Sequence, residues 1–308
     1  SFVSCRACGE AIKCPRCDVA LTYHQQIIQA QRQLVCHYCG YTTAMPKQCP
    51  SCKSNMIAGF GTGTEKVEEE IKKLFPAIKT LRMDRDTTMR KDAGARILKQ
   101  FAEGKADMLI GTQMIVKGHD FPNVTLVGVL AADLSLYVSD YHAAERTFQL
   151  LTQAAGRAGR GSEPGEVVIQ TYRPDHYSVQ TAKEQDYEAF YEQEMEYRRM
   201  LLYPPVWNML VILCASKSEE AADAMAAELA AAADAYTGKN TKEKVYLVGP
   251  VDAAIAKVND IYKKIIYLKA ENYDTLVKIK NRTEVYARES RYYKNVTVMF
   301  DFNPVNGF

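Results

Sequence analysis

The sequence predicts an α/β protein that begins with a Cys-rich module and ends with a smaller α/β domain. Eight of the nine cysteines lie between positions 5 and 52, in four Cys-x-x-Cys pairs. After them, short apolar runs bounded by Gly, Pro and Asn alternate with helical segments, as strands and helices do in an open, mostly parallel sheet. We expect three parts, at 1–56, 57–202 and 203–308.

The cysteine spacing predicts two zinc sites. A two-residue gap lets one tight turn direct two sulfurs at a single metal, and a Zn(Cys)4 site needs two such turns. The second and third pairs are separated by 18 residues, which fits the zinc-ribbon template, whereas only five residues separate the first and second pairs. We therefore expect a nested arrangement, with an outer zinc on Cys5, Cys8, Cys49 and Cys52 and an inner zinc on Cys14, Cys17, Cys36 and Cys39.

Four thiolates close the coordination sphere of zinc, so both sites are expected to be structural. A disulfide framework is an alternative, although disulfide-dense domains are usually small and secreted, and no signal peptide is visible. A thiol redox switch is another alternative, because Cys-x-x-Cys also suits reversible oxidation. Zinc analysis separates these three interpretations.

The middle of the chain reads as alternating strands and helices. Glycines at 59, 61 and 63 lead into a helix over 65–74, for which Thr64 is the expected N-cap. The following elements are strands at 78–83, 106–111, 124–131 and 165–172, and helices at 88–103, 142–155 and 175–202. The last helix stops at Tyr203-Pro204-Pro205, which we interpret as a domain boundary.

The pattern of the remaining residues, 203–308, predicts a smaller α/β domain. Its expected strands are 207–215, 245–248, 261–269 and 296–302, and its expected helices are 218–236 and 274–281. Cys214 lies in an apolar strand and is expected to be a buried, unreactive thiol.

Composition is that of an ordinary globular protein, with 47% hydrophobic and 25% charged residues. No apolar run approaches the length of a membrane span.

The net charge of +2 does not indicate nucleic acid, but residues 257–294 hold ten Lys/Arg against five Asp/Glu, with six tyrosines between them. Such a mixture suits single-stranded DNA, and it fits a tyrosine-rich sheet with solvated lysines equally well. Lys263 and Lys264 are our candidate DNA contacts.

The segment 153–161 reads Gln-Ala-Ala-Gly-Arg-Ala-Gly-Arg-Gly, between a predicted helix and a predicted strand. Arginine suits phosphate because its planar fork donates two parallel hydrogen bonds and keeps its charge. Small neighbours let the backbone approach the phosphate closely. An arginine that reaches a γ-phosphate stabilises the charge that develops during phosphoryl transfer.

Residues 153–160 resemble the last helicase motif of superfamily 2 ATPases, and 109–122 resemble the motif before it. Segments 61–65, 84–88, 117–119 and 145–151, with 249–250 and 301–304 near the end, resemble the bacterial primosomal replication-restart DNA helicases, the PriA family. The resemblance covers essentially the whole chain and joins all these motifs to the eight cysteines.

The resemblance implies a RecA-like second helicase lobe with an inserted two-zinc module, followed by an α/β DNA-binding domain. It implies an ATP-dependent 3′→5′ DNA helicase that recognises stalled or abandoned replication forks and promotes primosome assembly. The residue roles that it implies are γ-phosphate contact by Arg157 and Arg160, ATP contact by Gln153, Gly118 and Asp120, and DNA contact by Thr112 and Gln113.

The same resemblance implies two Zn2+ ions, ATP and Mg2+ as cofactors. The expected partners are branched and single-stranded DNA, a single-strand-binding protein, and primosome and helicase-loader proteins. The expected setting is a monomer in the cytoplasm, without a membrane anchor.

No G-x-x-x-x-G-K-[ST] phosphate loop and no acidic box for Mg2+ occur in the 308 residues. In the family these parts belong to the first helicase lobe. The chain is therefore expected to be a C-terminal fragment that does not hydrolyse ATP alone. The alternative is a non-catalytic zinc-ribbon module that binds DNA or proteins, and a phosphate loop in the parent protein would decide against it.

Overall fold

The computed structural model describes residues 2–25, 32–60, 63–84, 87–88, 92–116, 121–137, 140–240 and 243–305. The chain forms two compact units, one made of Ser1–Phe60 with Met195–Phe308 and the other of Gly61–Glu194. Each unit is described on its own below.

The Cys-rich module is a small antiparallel sheet. Its strands are β1 (Phe2–Cys5), β2 (Thr22–Gln25), β3 (Arg32–Val35), β4 (Thr42–Ala44) and β5 (Ile57–Phe60), in the order β4-β3-β2-β1-β5. Val3, Leu21 and Leu34 are at most 1% exposed and form its core together with inner cysteines. Because so small a core stabilises little by itself, the module depends on cross-links between its turns.

The Gly61–Glu194 unit alternates helices and strands. Its elements are α1 (Thr64–Leu74), β6 (Thr80–Met83), α2 (Ala93–Ala102), β7 (Met108–Gly111), β8 (Leu126–Val129), α3 (Ala143–Ala155), β9 (Glu166–Ile169) and α4 (Tyr177–Glu184), and α5 (Tyr187–Leu201) begins within it. The expected parallel pairing is confirmed, since β6 pairs with β7 and β8 with β9 in parallel register. Among the described residues these are separate two-stranded sheets.

The β8–β9 sheet is covered on one face by helices. Val129 and Ile169 pack against Phe148 and Leu151 of α3 and Phe190 of α5. The rings of Phe148 and Phe190 stack with centroids 4.2 Å apart. Burial of this apolar layer fixes the position of α3, and therefore of the segment that follows it.

Two local predictions in this unit were wrong. Thr64 is not an N-cap, because it lies inside α1 and its hydroxyl donates to the Asp84 carboxylate at 2.6 Å. The helix expected over 175–202 is two helices, since Gln185 is left-handed with φ 55° and ends α4. Asp186 precedes α5 and caps it, because its carboxylate accepts from the Ala189 amide at 2.9 Å.

The C-terminal sheet domain is a four-stranded antiparallel sheet with two helices. Its elements are β10 (Asn208–Ser216), α6 (Glu219–Asn240), β11 (Val245–Val258), β12 (Ile261–Ala270), α7 (Tyr273–Glu289) and β13 (Val296–Phe302), with strand order β11-β12-β10-β13. Residues Leu210 and Ile212 of β10 and Met225 and Leu229 of α6 are fully buried in its core. Cys214 is also buried there, as expected, and burial raises its pKa to about 12.

Two elements of this domain are longer than predicted. β11 continues past the Gly249-Pro250 pair to Val258, with register shifts between Val248 and Val251 and again between Asp252 and Lys257. α7 continues past 281 to Glu289, and its last turns bury Ala287 and Thr283, whose hydroxyl donates to the Ile279 carbonyl. In the described residues, no helix has the length and apolar character needed to cross a membrane.

Candidate functional site

The eight paired cysteines come together in the two nested groups that their spacing predicts. These are Cys5, Cys8, Cys49 and Cys52 in the outer group and Cys14, Cys17, Cys36 and Cys39 in the inner group. Within each group the sulfurs all lie within 4.8 Å of one another, and Cys5 and Cys52 are 3.6 Å apart, as are Cys14 and Cys39. Sulfurs about 2.3 Å from a tetrahedral zinc would lie about 3.8 Å apart. Both groups fit zinc.

The same distances contradict the disulfide alternative. A disulfide joins two sulfurs at about 2.05 Å, far closer than any of these pairs. None of the nine cysteines, all of which the structure describes, forms a disulfide. The two groups differ in burial, because the inner one lies in the core of the Cys-rich module, whereas Cys8 and Cys52 of the outer one are exposed.

Three of the four Cys-x-x-Cys turns close in one way. The residue four positions after the first cysteine has positive φ, and its amide donates back to that cysteine's carbonyl, as in Gly9 to Cys5, Gly40 to Cys36 and Lys53 to Cys49. Glycine adopts this conformation without strain, which explains its presence in two of the turns. The tight turn directs both sulfurs to one side.

The thiol pKa values of these groups are spread by their surroundings. A hydrogen bond from the Cys8 amide lowers the pKa of Cys5 to about 6. Burial raises the pKa of Cys17 to about 12, against the lowering effect of the Asn259 amide. A bound divalent cation favours the thiolate of every ligand, so zinc would remove this spread.

The Gly-Arg segment follows α3 directly. Gln153 is exposed on the last turn of the helix, Arg157 is half-buried, and Arg160 is exposed. The Arg160 Nε donates to the Gly156 carbonyl at 2.7 Å, which holds one edge of the guanidinium against the backbone. The segment thus presents two arginines in fixed register from a loop that begins at Gly156.

This loop packs backbone against backbone. The Gly159 amide donates to the Val124 carbonyl at 3.0 Å. A Cβ on Gly161 would lie 2.4 Å from the Pro122 carbonyl oxygen, and a Cβ on Gly165 would lie 2.2 Å from the Gly159 nitrogen. Gly159 also has φ 72°, which disfavours any side chain. These glycines are therefore required by close approach and fix the path of the arginine loop.

Gly165→Ala is expected to lower the free energy of unfolding of this unit by about 1–3 kcal/mol, because the added Cβ forces the loop backbone apart. Thermal unfolding monitored by circular dichroism measures the change. Gly128→Ala is the matched control, since its Cβ would meet nothing within 4 Å. Equal midpoints for the two variants would contradict the close-packed loop.

The expected DNA-contact residues Thr112 and Gln113 are exposed just after β7. They follow Gly111, whose Cβ would lie 2.4 Å from the Met83 carbonyl oxygen, so β7 and β6 meet closely at this end. Gly118 and Asp120, the expected ATP contacts of the next turn, lie outside the described residues.

Two buried carboxylates in this unit were not singled out from the sequence. Asp133 is 3% exposed and accepts from Thr171 and from the Tyr172 and Arg173 amides. Burial alone would raise the pKa of Asp133, but these hydrogen bonds outweigh it and hold the pKa below its usual range. Asp133 thereby ties the end of β8 to the end of β9. The sequence signal that could have identified Asp133 is its position just after the apolar run predicted as a strand.

The second carboxylate, Asp140, is placed just before α3. It accepts from the His142 amide at 2.9 Å and pairs with Arg146 at 2.8 Å. Burial would raise its pKa, but the amide and the Arg146 guanidinium lower it below its usual range. This pair holds the first turn of the helix whose far end carries the Gly-Arg loop.

The structure distinguishes the two candidate lysines of the C-terminal sheet domain. Lys264 lies among carboxylates, 2.7 Å from Asp252, 2.9 Å from Asp223 and 3.8 Å from Glu219. The hydrogen bond to Asp252, followed by that to Asp223, raises its pKa. Lys263 is the next residue of β12 and therefore faces the opposite side of the sheet. In the part of the chain that the structure describes, Lys263 has no ion pair.

Several other cations of the basic, tyrosine-rich stretch lie over aromatic rings within the fold. These pairs are Lys257 over Tyr262, Lys280 over Phe300, Arg282 over Tyr286 and Arg291 over Tyr292. Tyr273, Tyr286 and Tyr293 remain 44–49% exposed. The stretch thus combines side chains that serve the fold with rings that solvent can reach.

Three family models match the chain, in the order of the parts described above. The PriA DNA helicase Cys-rich region domain matches residues 14–43, the helicase conserved C-terminal domain matches 51–162, and the primosomal protein N C-terminal domain matches 199–305. The matches cover the inner cysteine group, the Gly-Arg loop and the four-stranded sheet.

Curated relatives agree with these models. The chain is 46% identical over 305 residues to the replication restart protein PriA of Bacillus subtilis, covering 99% of this chain and 37% of the relative. It is 42% identical over 279 residues to that of Synechocystis, covering 91% and 33%, and 37% identical over 302 residues to that of Treponema pallidum, covering 98% and 44%. The chain thus spans less than half the length of these relatives.

The domain order and the two nested cysteine groups agree with the sequence similarity along nearly the whole chain. The chain belongs to the PriA family of replication restart proteins, of which it carries the Cys-rich region, the helicase C-terminal domain and the C-terminal domain.

Proposed function

We propose that this chain is the C-terminal part of an ATP-dependent 3′→5′ DNA helicase that recognises stalled or abandoned replication forks and promotes primosome assembly. The observation that carries the proposal is the Gly-Arg loop after α3. Its backbone is packed so closely against Val124 and Gly165 that two arginines are presented in one register. A loop that stabilises charge on a transferring phosphoryl group needs such fixed geometry.

In this proposal Arg160 and Arg157 contact the γ-phosphate of ATP, and Gln153 couples the nucleotide to DNA. Gly118 and Asp120 border the ATP, which binds with Mg2+ between this part and an ATPase lobe elsewhere in the parent protein. Thr112 and Gln113 contact the DNA backbone, which their exposure at the end of β7 supports.

Each cysteine group would hold one structural zinc. The donor set supports this, since four sulfurs at the observed separations match a closed tetrahedral site. Zinc supplies a cross-link among the turns of a module whose apolar core is small, and it takes no part in the reaction.

The whole protein would act on branched and single-stranded DNA as a monomer in the cytoplasm. It would assemble there with a single-strand-binding protein and with primosome and helicase-loader proteins. The family resemblance supports these partners.

ATP hydrolysis tests the helicase proposal. The purified chain should show no DNA-stimulated turnover, and the parent protein that contains it should show turnover that depends on single-stranded DNA. A parent protein that binds forks without hydrolysing ATP would favour the non-catalytic zinc-ribbon module instead. Turnover by the chain alone would contradict the assignment of the nucleotide site to two lobes.

Lys263→Glu is expected to weaken binding of single-stranded DNA about tenfold at low salt, because a cation near phosphate becomes an anion. The plot of log K against log salt should become less steep by about 0.7, because the variant neutralises one phosphate fewer. Fluorescence anisotropy with labelled oligonucleotides measures both. Lys278→Glu on the exposed side of α7 is the matched control with the same change of charge.

Lys264 should behave differently from Lys263. Lys264→Met leaves the carboxylates of Asp252 and Asp223 without their shared cation, so it should lower the thermal midpoint of the domain. Its effect on DNA affinity should be smaller than that of Lys263→Glu. The reverse order would make Lys264 the DNA contact.

A further inference from the structure

One of the four Cys-x-x-Cys turns is completed from outside the Cys-rich module. In the turn from Cys14 to Cys17 the residue at the fourth position is Asp18, and its amide donates at 2.8 Å to the carbonyl of Lys257. Lys257 belongs to β11 of the C-terminal sheet domain. The corresponding amide of the other three turns donates within its own turn.

The partner is the hairpin between β11 and β12. Asn259 and Asp260 form its two-residue turn, with φ 51° and 60°, and Val258 pairs with Ile261 beside it. Positive φ at both central residues is the type I′ geometry that matches the twist of two antiparallel strands. The Asp260 amide donates to the Arg16 carbonyl at 2.8 Å, which adds a second backbone bond between hairpin and turn.

The tip of the hairpin reaches a cysteine sulfur. The Asn259 amide donates to the Cys17 Sγ at 3.2 Å, and Cys17 is 1% exposed. Val258 packs against the core of the Cys-rich module. The Lys257 ammonium donates to the Pro15 carbonyl at 3.1 Å. These contacts place the hairpin on the inner cysteine group, on its buried side.

A hydrogen bond to a metal-bound thiolate depends on the metal. A Zn(Cys)4 centre has a formal charge of about −2, so an amide that donates to one sulfur offsets part of that charge. A neutral thiol is a weak acceptor, and the same amide gains little from it. Partners of this kind change metal affinity by about 10- to 100-fold when they are removed.

We propose that the inner zinc centre and the β11–β12 hairpin form a metal-dependent joint between the Cys-rich module and the C-terminal sheet domain. Zinc on Cys17 strengthens docking of the hairpin, and by linkage the docked hairpin slows loss of that zinc. In the described residues, no hydrogen bond from the C-terminal sheet domain reaches a sulfur of the outer group. This joint rests on the zinc assignment made under the proposed function.

Stepwise zinc release from the whole 308-residue chain tests the joint. A thiol-specific reagent should release two zincs, which a metal indicator measures. Mass spectrometry should show that the outer cysteines are modified before the inner ones. Val258→Asp, which puts a charge into the docked surface, should speed release of the inner zinc about tenfold. Val251→Asp, the same change at an exposed position of β11, should leave both rates unchanged.

Asn259→Gly separates the backbone from the side chain. It keeps the amide and favours positive φ, so the inner zinc should be released at the original rate. A tenfold increase in this variant would overturn the role of the backbone amide.

Hydrogen exchange of the unaltered chain gives a test that needs no variant. The amides of Asn259 and Asp260 should exchange at least tenfold faster once the inner zinc is removed, and should not change when only the outer zinc is lost. The joint would be overturned if the exchange of these two amides were the same with and without the inner zinc, or if Val258→Asp released the inner zinc at the original rate. A chain that binds no zinc would overturn the zinc assignment itself.

Discussion

Arg160→Ala in the complete PriA-family protein that contains this chain is expected, under the proposed function, to lower kcat for DNA-stimulated ATP hydrolysis about 10³-fold. The guanidinium would stabilise charge that develops on the γ-phosphoryl group, so the loss falls on turnover more than on ATP binding. The Arg160 side chain is exposed and held at Nε by the Gly156 carbonyl, so its removal should leave the fold intact. Steady-state kinetics at saturating single-stranded DNA measures kcat and KM separately.

Two further variants make that result specific. Arg173→Ala removes an exposed arginine of the same unit and should leave kcat unchanged. Arg160→Lys keeps the charge but loses the planar fork, so its kcat should lie between those of the original protein and Arg160→Ala. If Arg160→Ala turned over ATP at the original rate, the arginine would have no role in phosphoryl transfer.

Cys36→Ser is expected to unfold the Cys-rich module, whereas Cys52→Ser should remove one zinc and leave most of the module folded. Cys36 is 1% exposed and lies in the core with Val3, Leu21 and Leu34, while Cys52 is at the surface. Structural zinc contributes about 10–16 kcal/mol in small zinc-dependent folds, so the loss of an inner ligand exceeds what the apolar core supplies.

Zinc content and limited proteolysis distinguish the two cysteine variants. The original chain should hold two zincs and Cys52→Ser should hold one, with β2 and β3 still protected from protease. In Cys36→Ser the same strands should be cleaved. Equal protection in both variants would mean that the inner zinc is dispensable for the fold of the module.

The cysteine sites could be predicted because their chemistry is local. The two-residue gaps and the 18-residue separation determine which sulfurs can share a metal before any tertiary contact is known. The alternation of apolar runs and helices likewise predicted the parallel pairing of β6 with β7 and of β8 with β9. The arginine loop was found from its residue types and its resemblance to a helicase motif.

The missed features depend on partners that are distant in sequence. The sequence made Lys264 a candidate DNA contact because Asp223 and Asp252, which pair with it, approach it only in the folded domain. The extension of β11 was missed because Gly249-Pro250 ordinarily ends a strand, and here the partner strand β12 continues the pairing beyond it. Nothing in the Asn259-Asp260 turn itself indicates that its amide meets a cysteine far earlier in the chain.

The irregular pairing of β11 makes this region sensitive to length. Register shifts at Val248/Val251 and at Asp252/Lys257 add residues to β11 that β12 does not match, and such bulges bend a strand and increase its twist. The direction of the hairpin tip is therefore determined by how many residues precede it. Deleting one residue between 252 and 257 would turn Val258 to the opposite face and move the Asn259 amide off Cys17, with every contacting residue still present. Homologous chains that keep this contact should tolerate substitutions along the strand far better than insertions or deletions.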